Sequence, residues 1–153
     1  MQVNDVFTIQ RVLTQDDFNR FAVLSGDNNP IHVDPEFSAR TRFGKTVAHG
    51  MFLSSLICGA LAKFSPGALQ VSQDLMFPTP SYVGEQVTVS ARVLELDSEK
   101  RIARVETLVT RPSGEIGCQG ETTLTYRHVD AESSGAPQQS RAGPVARDAD
   151  RAR

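Results

Sequence analysis

A short polar segment near residues 25–32 contains the side chains of this chain best suited to acid–base chemistry. The carboxylate of Asp27 and the imidazole of His32 lie five positions apart. Gly26 permits backbone angles that other residues avoid, and Pro30 fixes its own φ and disfavours helix in the residue before it. We therefore predict a rigid loop, not a regular helix, that directs Asp27 and His32 toward one point.

An Asp–His pair is suited to moving protons to and from a water molecule. Histidine titrates near neutral pH, and a neighbouring carboxylate can fix its tautomer. The two residue types also allow a simpler interpretation, in which the loop is stabilised by its own side-chain hydrogen bonds and His32 is structural. The spacing of Asp27 and His32 taken alone favours the structural interpretation.

Three separate blocks of sequence extend this observation. The first is FAVLSGDNNPIHVDP at 21–35, with Ala39 behind it; the second is VAHGM at 47–51; the third is FPTPSYVGE at 77–85. In this order they resemble the MaoC-like, (R)-specific enoyl-CoA hydratases. This family, also called hydratase 2, includes the 3-hydroxyacyl-thioester dehydratases of fatty-acid synthesis. The resemblance covers about residues 5–127.

The resemblance implies roles for individual residues. Asp27 and His32 would act together on one water, adding it across the C2–C3 double bond of an enoyl thioester or releasing it in reverse. Asn29 would support the loop and help to place the water, although a turn-forming asparagine explains it equally well. The backbone N–H of Gly50, at a positive helix start, would stabilise the enolate oxygen. We interpret His49 as structural.

Candidates for binding the acyl chain follow from placing the thioester at Gly50. An acyl chain that starts at Gly50 and runs inward would meet residues two to three helical turns further on. On this basis Leu61, on the central helix, and Leu124, in the last strand, are predicted to limit chain length. Cys58 stands where some relatives have a serine, so the polarity of this pocket is expected to differ.

Three cations, Arg40, Arg42 and Lys45, lie between the loop and the central helix. They could meet the phosphates of a coenzyme A or acyl-carrier arm, although solvation at the surface is the alternative for each. We find no glycine-rich phosphate loop, nucleotide fingerprint or metal motif. The sequence therefore predicts no cofactor and no metal.

Composition restricts the class of protein. The chain has 153 residues, 39% of them hydrophobic, and a formal net charge of −2. Charges of mixed sign give no basic stripe for nucleic acid, and two cysteines form no metal or disulfide pattern. Cys58 is expected to be buried in its apolar run.

The apolar segment Gly50–Phe64 is shorter than the ~20 residues of a membrane span, so we expect no membrane partner. The N-terminus has no secretory pattern, and we expect a cytoplasmic protein, or one of an organelle matrix.

The hydropathy pattern predicts an α+β fold. A first strand at 3–13 precedes a helix capped by Thr14, and a short helix begins at Asp34 and Pro35. The central helix, Gly50–Phe64, is apolar nearly all round and is expected to be buried. Four further strands are predicted at 70–77, 86–96, 101–111 and 115–127. The resemblance implies a single hot-dog domain, a curved antiparallel sheet of about five strands wrapped around the long central helix.

The domain is predicted to span 1–129 and to be followed by a disordered tail at 130–153. Residues 131–153 contain no aromatic residue and no Leu, Ile or Met, so this segment cannot bury enough apolar surface to fold.

Two other functions compete with hydration. Hot-dog thioesterases commonly carry a carboxylate on the central helix, and Gly50–Phe64 contains none. A non-catalytic acyl-CoA-binding or partner subunit is the other possibility, but the presence of both Asp27 and His32 favours the active type. The exposed edges of a single sheet layer predict a homodimer or a higher homo-oligomer.

Overall fold

A computed structural model describes residues 1–126 of the chain. The predicted tail at 130–153 and Arg127, the last residue of the predicted final strand, lie outside the described residues. The elements, in chain order, are β1 (Val6–Val12), α1 (Gln15–Ser25), α2 (Pro30–Val33), α3 (Pro35–Ala39), α4 (Gly50–Phe64), β2 (Leu69–Gln73), β3 (Gln86–Asp97), β4 (Ile102–Thr110) and β5 (Ile116–Thr125).

The strands form one antiparallel sheet in the order β1-β3-β4-β5-β2. Helix α4 packs against β1, β3, β4 and β5. The predicted α+β fold, one antiparallel sheet with a long central helix, is therefore confirmed. The two predicted hairpins are also present: β3 pairs with β4 and β4 pairs with β5.

The core lies between α4 and the sheet. Alternate residues of the central strands point toward the helix, as a period of two requires. The buried apolar residues of the strands are Val87, Val89, Ala91, Val93, Ala103, Val105, Val109, Cys118 and Leu124, and those of α4 are Phe52, Leu53, Ile57, Ala60 and Leu61. This packing fixes the position of α4, and with it the start of the helix at Gly50.

Helix α1 carries the chain to the Asp27 loop. Its N-cap, Thr14, forms a reciprocal capping box with Asp17, as its sequence predicts. Phe18 is buried on this helix. Gly26 ends the helix with φ at 78° and donates its N–H to the carbonyl of Ala22, a left-handed conformation that suits glycine. Asp27 follows directly.

The prediction of an irregular loop around Asp27 and His32 was only partly correct. Residues 27–29 are irregular, but Pro30–Val33 forms one helical turn, α2, and His32 lies on it. Asn29 is its N-cap, and its side chain accepts a hydrogen bond from the N–H of Ile31. Proline is favoured at the first helical position because its missing N–H is not needed there.

Helix α4 has the predicted bounds but is not buried all round. The sheet covers one side, and the side that carries Met51, Ser55, Cys58, Gly59 and Ala62 is exposed. The prediction that Cys58 is buried is therefore wrong, because apolar composition does not reveal which side of a helix the sheet covers. None of the helices within residues 1–126 is long and apolar enough to cross a membrane.

The sheet edge at β2 is short and apolar on its outer face. The strand ends at Gln73, earlier than predicted, and only an isolated bridge between Met76 and Gln119 continues the pairing. Leu69 and Val71 are 66% and 62% exposed. The connection that follows, with its two prolines, is exposed as predicted.

Candidate active site

The structure brings Asp27 and His32 together. His32 is held through Nδ1, which lies 2.7 Å from the carbonyl oxygen of Val47. A carbonyl can only accept a hydrogen bond, so the proton of the neutral ring is on Nδ1 and Nε2 carries a lone pair. This Nε2 lies 4.0 Å from Oδ2 of Asp27.

The 4.0 Å separation is too long for a direct hydrogen bond. It suits a shared water molecule, since polar groups at such distances are commonly bridged by one. Both flanking atoms are acceptors. A water between them would donate one O–H to Nε2 of His32 and the other to Oδ2 of Asp27, which leaves an oxygen lone pair directed away from both.

Short-range hydrogen bonds stabilise the Asp27 loop. Oδ1 of Asp27 accepts from the N–H of Asn29 at 3.3 Å, and Oδ1 of Asn29 accepts from the N–H of Ile31 at 3.3 Å. These are turn bonds of the kind Asp and Asn side chains form. Asn29 therefore supports the loop as predicted, and its help in placing the water stays a prediction.

Residues that sequence reasoning missed hold helix α2 from outside. Gln15 donates from Nε2 to the carbonyl of His32 at 2.9 Å, and Thr46 donates to Oε1 of Gln15 at 2.6 Å. Ser38 donates to the carbonyl of Ile31 at 3.1 Å. These contacts join residues 7 to 31 positions apart, so no local sequence pattern could have indicated them.

His49 connects the pair to the central helix. It is 2% exposed, and its Nε2 lies 3.0 Å from the backbone carbonyl of Asp27. Its ring stacks on the ring of His32, with centroids 3.9 Å apart and planes at 27°. Because His49 directly precedes Gly50, these contacts place the start of α4 beside Asp27 and His32.

Gly50 is the first residue of α4, where backbone N–H groups have no acceptor within the helix. A Cβ at this position would lie 3.0 Å from the ring of Phe77. The Phe77 ring therefore lies close over Gly50, and a side chain at residue 50 would require this ring to shift. Phe77 belongs to the third sequence block, but its position over Gly50 was not predicted.

Asp27, His32 and His49 each offer a possible ligand atom within 4.8 Å of the others. The two imidazole rings are stacked, and one nitrogen of each already has a backbone carbonyl as its partner. Burial lowers the pKa of His49; the hydrogen bond to the Asp27 carbonyl and the charge of the Asp27 carboxylate partly oppose this, and a positive charge on His32 would lower it further. His49 is therefore a neutral ring near pH 7, with its proton on Nε2.

Comparison with known proteins identifies the family. The model of the MaoC like domain matches residues 4–113. The chain belongs to the MaoC-like family.

Individual relatives of this MaoC-like protein bear names that describe one type of reaction. An (R)-specific enoyl-CoA hydratase of Aeromonas caviae is 39% identical over 106 residues, which are 68% of this chain and 79% of the relative. A mitochondrial 3-hydroxyacyl-[acyl-carrier-protein] dehydratase of Arabidopsis thaliana is 32% identical over 133 residues, covering 85% of this chain and 80% of the relative.

Solved structures agree with these sequence relatives. The structure of an (R)-hydratase from A. caviae, described as involved in PHA biosynthesis, superposes with a TM-score of 0.80 and 32% identity over 83% of this chain and 98% of that chain. The hot-dog fold implied by the sequence blocks is thereby confirmed for the MaoC-like protein.

The predicted acyl-pocket residues meet in one place. Cys58, Leu61 and Leu124 line a small cavity of about 80 Å³ together with Ala62, Ala68 and Gln70. Sγ of Cys58 donates to Oε1 of Gln70 at 3.3 Å. Gln70 was not predicted as a site residue, and its amide makes one wall of the cavity polar.

The three predicted cations of the MaoC-like protein are exposed. The guanidinium of Arg42 lies over the ring of Phe43, 4.9 Å from its centroid. Burial opposes the lowering of the Glu85 pKa, which comes mainly from its hydrogen bonds to Arg111 and to the backbone of Tyr82; the charge of Lys45 adds a smaller part. Arg40 is the C-cap of α3. A role for these cations in binding a phosphate arm stays a prediction.

Proposed function

We propose that this protein catalyses the reversible hydration of trans-2-enoyl thioesters, carried by coenzyme A or acyl carrier protein, to (R)-3-hydroxyacyl thioesters. The observation that carries the proposal is the 4.0 Å gap between Nε2 of His32 and Oδ2 of Asp27. Two acceptors at this distance orient both O–H bonds of one water. The hydratase and dehydratase names of the relatives support the same reaction.

In this reaction the Asp27–His32 pair transfers protons, and Gly50 stabilises the negative charge. As the oxygen of the bound water forms its bond to C3, one of its protons passes to the Asp27–His32 pair. A proton from the pair then reaches C2, so that H and OH add across the double bond and the pair returns to its starting state. Negative charge develops on the thioester oxygen meanwhile, and the Gly50 N–H at the positive end of α4 is placed to stabilise it.

We also propose that the working form is a homodimer. The exposed side of α4 and the outer face of β2 both present apolar residues, including Met51, Leu69 and Val71, which are 57%, 66% and 62% exposed. The edge strand also leaves backbone N–H and C=O groups unpaired. A second copy of the chain could cover the apolar residues and pair with the backbone groups of the edge strand.

The function is tested by following the loss of enoyl absorbance over a series of enoyl-CoAs of increasing chain length. The configuration of the product is determined by chiral chromatography, with (R) expected. A parallel assay with a thiol reagent detects free coenzyme A. Release of free thiol without loss of the double bond would identify a thioesterase, and no reaction on any enoyl-CoA or enoyl-carrier substrate would contradict the proposal.

A further inference from the structure

His49 contacts both members of the Asp27–His32 pair without being exposed to substrate. Its Nε2 donates to the backbone carbonyl of Asp27 at 3.0 Å, and its ring stacks on His32 at 3.9 Å between centroids. The side chain of Asp27 is 52% exposed and that of His32 is 12% exposed. The Asp27 carboxylate is therefore positioned mainly by the backbone of its loop, and His49 forms a hydrogen bond to that backbone.

The surroundings of His49 would suit an aromatic hydrocarbon better than an imidazole. The rings of Phe21 and Phe18 lie 4.9 Å and 6.4 Å from it, at 58° and 81°. Nδ1 of His49 is buried with no hydrogen-bond partner among the described residues. A buried acceptor without a partner costs free energy, and a phenylalanine here would avoid that cost. Packing alone does not explain the histidine.

We propose that His49 is a positioning residue for the hydration reaction. The ring N–H of His49 holds the Asp27 backbone in place, and the face of its ring holds the plane of the His32 ring. Because Gly50 is the next residue, the same contacts also fix the position of the Gly50 N–H relative to the pair. His49 does not exchange protons with the substrate. This inference rests on the proposed function, because it assigns a role within that same site.

The neutral state of His49 is compatible with this role. The titratable groups that face its ring are Asp27, from the loop, and His32, from α2. Helix α1 contributes only the phenyl rings of Phe18 and Phe21. A neutral ring can stay stacked on His32 when His32 takes up a proton, whereas a charged one would repel it.

Two substitutions separate the two contacts. His49→Gln keeps an N–H donor for the Asp27 carbonyl and removes the ring face, whereas His49→Phe keeps a ring among the phenylalanines and removes the donor. We expect each to lower kcat by about 10- to 100-fold, the scale for a small displacement of catalytic groups, with KM within about threefold. Losing both contacts, in His49→Leu, is expected to lower kcat further.

Val109→Ala is the matched control, since it removes core packing from a buried residue of β4. It is expected to lower Tm with kcat per folded molecule unchanged. If the Gln and Phe variants of His49 behave as this control does, with normal kcat per folded molecule, His49 is only a packing residue and the proposal is overturned.

A second measurement does not depend on turnover. The chain has three histidines, so the ring ¹⁵N spectrum is simple. In the wild type we expect the proton of His32 on Nδ1 and that of His49 on Nε2. In His49→Gln the ring signals of His32 should shift and broaden, because the ring is no longer held in one plane, and in His49→Phe the Asp27 carbonyl signal should shift. Unchanged signals in both variants would overturn the proposal. If the wild type hydrates no enoyl thioester, the proposed function fails, and these spectra alone decide whether His49 positions the pair.

Discussion

At the scale of single residues, the important quantity is the separation of Asp27 and His32. A direct hydrogen bond between them would give a pair in which the carboxylate only orients the imidazole. At 4.0 Å both groups present acceptor atoms to the space between them, because Nδ1–H of His32 donates to the carbonyl of Val47 and leaves Nε2 with its lone pair. This geometry suits the binding of a water molecule better than the activation of a nucleophilic side chain, and the role of the pair stays a proposal.

The first prediction concerns this pair. Asp27→Asn replaces one acceptor oxygen by an amide donor, and His32→Ala removes the other acceptor, so neither variant can orient both O–H bonds of the water. Each is expected to lower kcat by at least ~10²-fold, the usual scale for a positioned acid–base group. The enoyl-absorbance assay measures this, with circular dichroism to confirm folding. Near-normal turnover in either folded variant would contradict the mechanism.

The second prediction concerns Gly50. In Gly50→Ala the new methyl group would lie 3.0 Å from the ring of Phe77, which is 44% exposed and can move. The variant should fold, with a stability change of at most about 1 kcal/mol, but the methyl narrows the approach to the Gly50 N–H. We expect kcat/KM to fall by at least about 10-fold, a typical scale for a disturbed oxyanion donor.

A double-mutant cycle with Phe77→Ala controls for the contact between the two side chains. If Gly50→Ala acts only by pushing the Phe77 ring aside, the double variant should have the kcat/KM of Phe77→Ala alone. If the methyl itself obstructs the thioester, Gly50→Ala will still lower kcat/KM in the Phe77→Ala background, which is the result expected here.

The catalytic role of Asp27 and His32 stays a prediction, but the structure does bring the two side chains to within 4.0 Å. Their convergence was predicted from residue type, because a carboxylate, an imidazole, a glycine and a proline occur within one short segment. The Val47 carbonyl and the Gln15 amide were not predicted, because backbone atoms have no sequence signature and Gln15 is 17 positions from the residue it supports. The sequence indicates a structural role for His49, and only its contacts with both members of the pair suggest more.

At the scale of elements, local chemistry fixed the helix starts. Thr14 forms its capping box with Asp17, and the Asp34 side chain accepts from the N–H of Phe37 just after Pro35. These hydrogen bonds lie within one turn, so the sequence alone predicted both helix starts. The four-residue α2 is too short to show a periodic pattern and was missed. The exposed side of α4 was missed for a different reason: its covered side is determined by distant strands.

The third prediction concerns the cavity between α4 and β5. Leu61 and Leu124 are 4% and 2% exposed and line it. If the acyl chain enters this cavity, Leu61→Ala should raise kcat/KM for longer enoyl-CoAs relative to crotonyl-CoA. Each additional buried CH₂ contributes about 0.8 kcal/mol, so the preference should shift by about fourfold per CH₂. The chain-length series measures this ratio.

Leu53→Ala is the matched control for that experiment. Leu53 is a buried leucine of the same helix, 2% exposed, and it is absent from the cavity lining. Both variants should lose about 2–5 kcal/mol of stability, as buried leucine truncations do, but only Leu61→Ala should change the chain-length profile. An unchanged profile in a folded Leu61→Ala protein would show that Leu61 is a plain core residue.

At the scale of the whole molecule, the uncovered apolar surface leads to the fourth prediction. The outer face of β2 and the exposed side of α4 should join two copies into a homodimer. Light scattering at micromolar concentration is expected to give a dimer or a multiple of one. Val71→Lys, which places a charge on a 62% exposed edge residue, should weaken the association. A stable wild-type monomer would contradict the prediction, whereas a tetramer or hexamer would not.

The last prediction concerns the chain beyond the domain. Residues 131–153 contain no aromatic residue and no Leu, Ile or Met, so the segment lacks side chains that could anchor it in the core. Deleting 131–153 should leave Tm and kcat essentially unchanged. Deleting 124–153 is the control: it also removes Leu124, a 2% exposed core residue of β5 that pairs with Gln70 and Ala103, and should prevent stable folding. A large loss of Tm or turnover in the shorter deletion would show that the tail contributes to the folded protein or to its site, since the longer deletion alone is expected to remove core contacts.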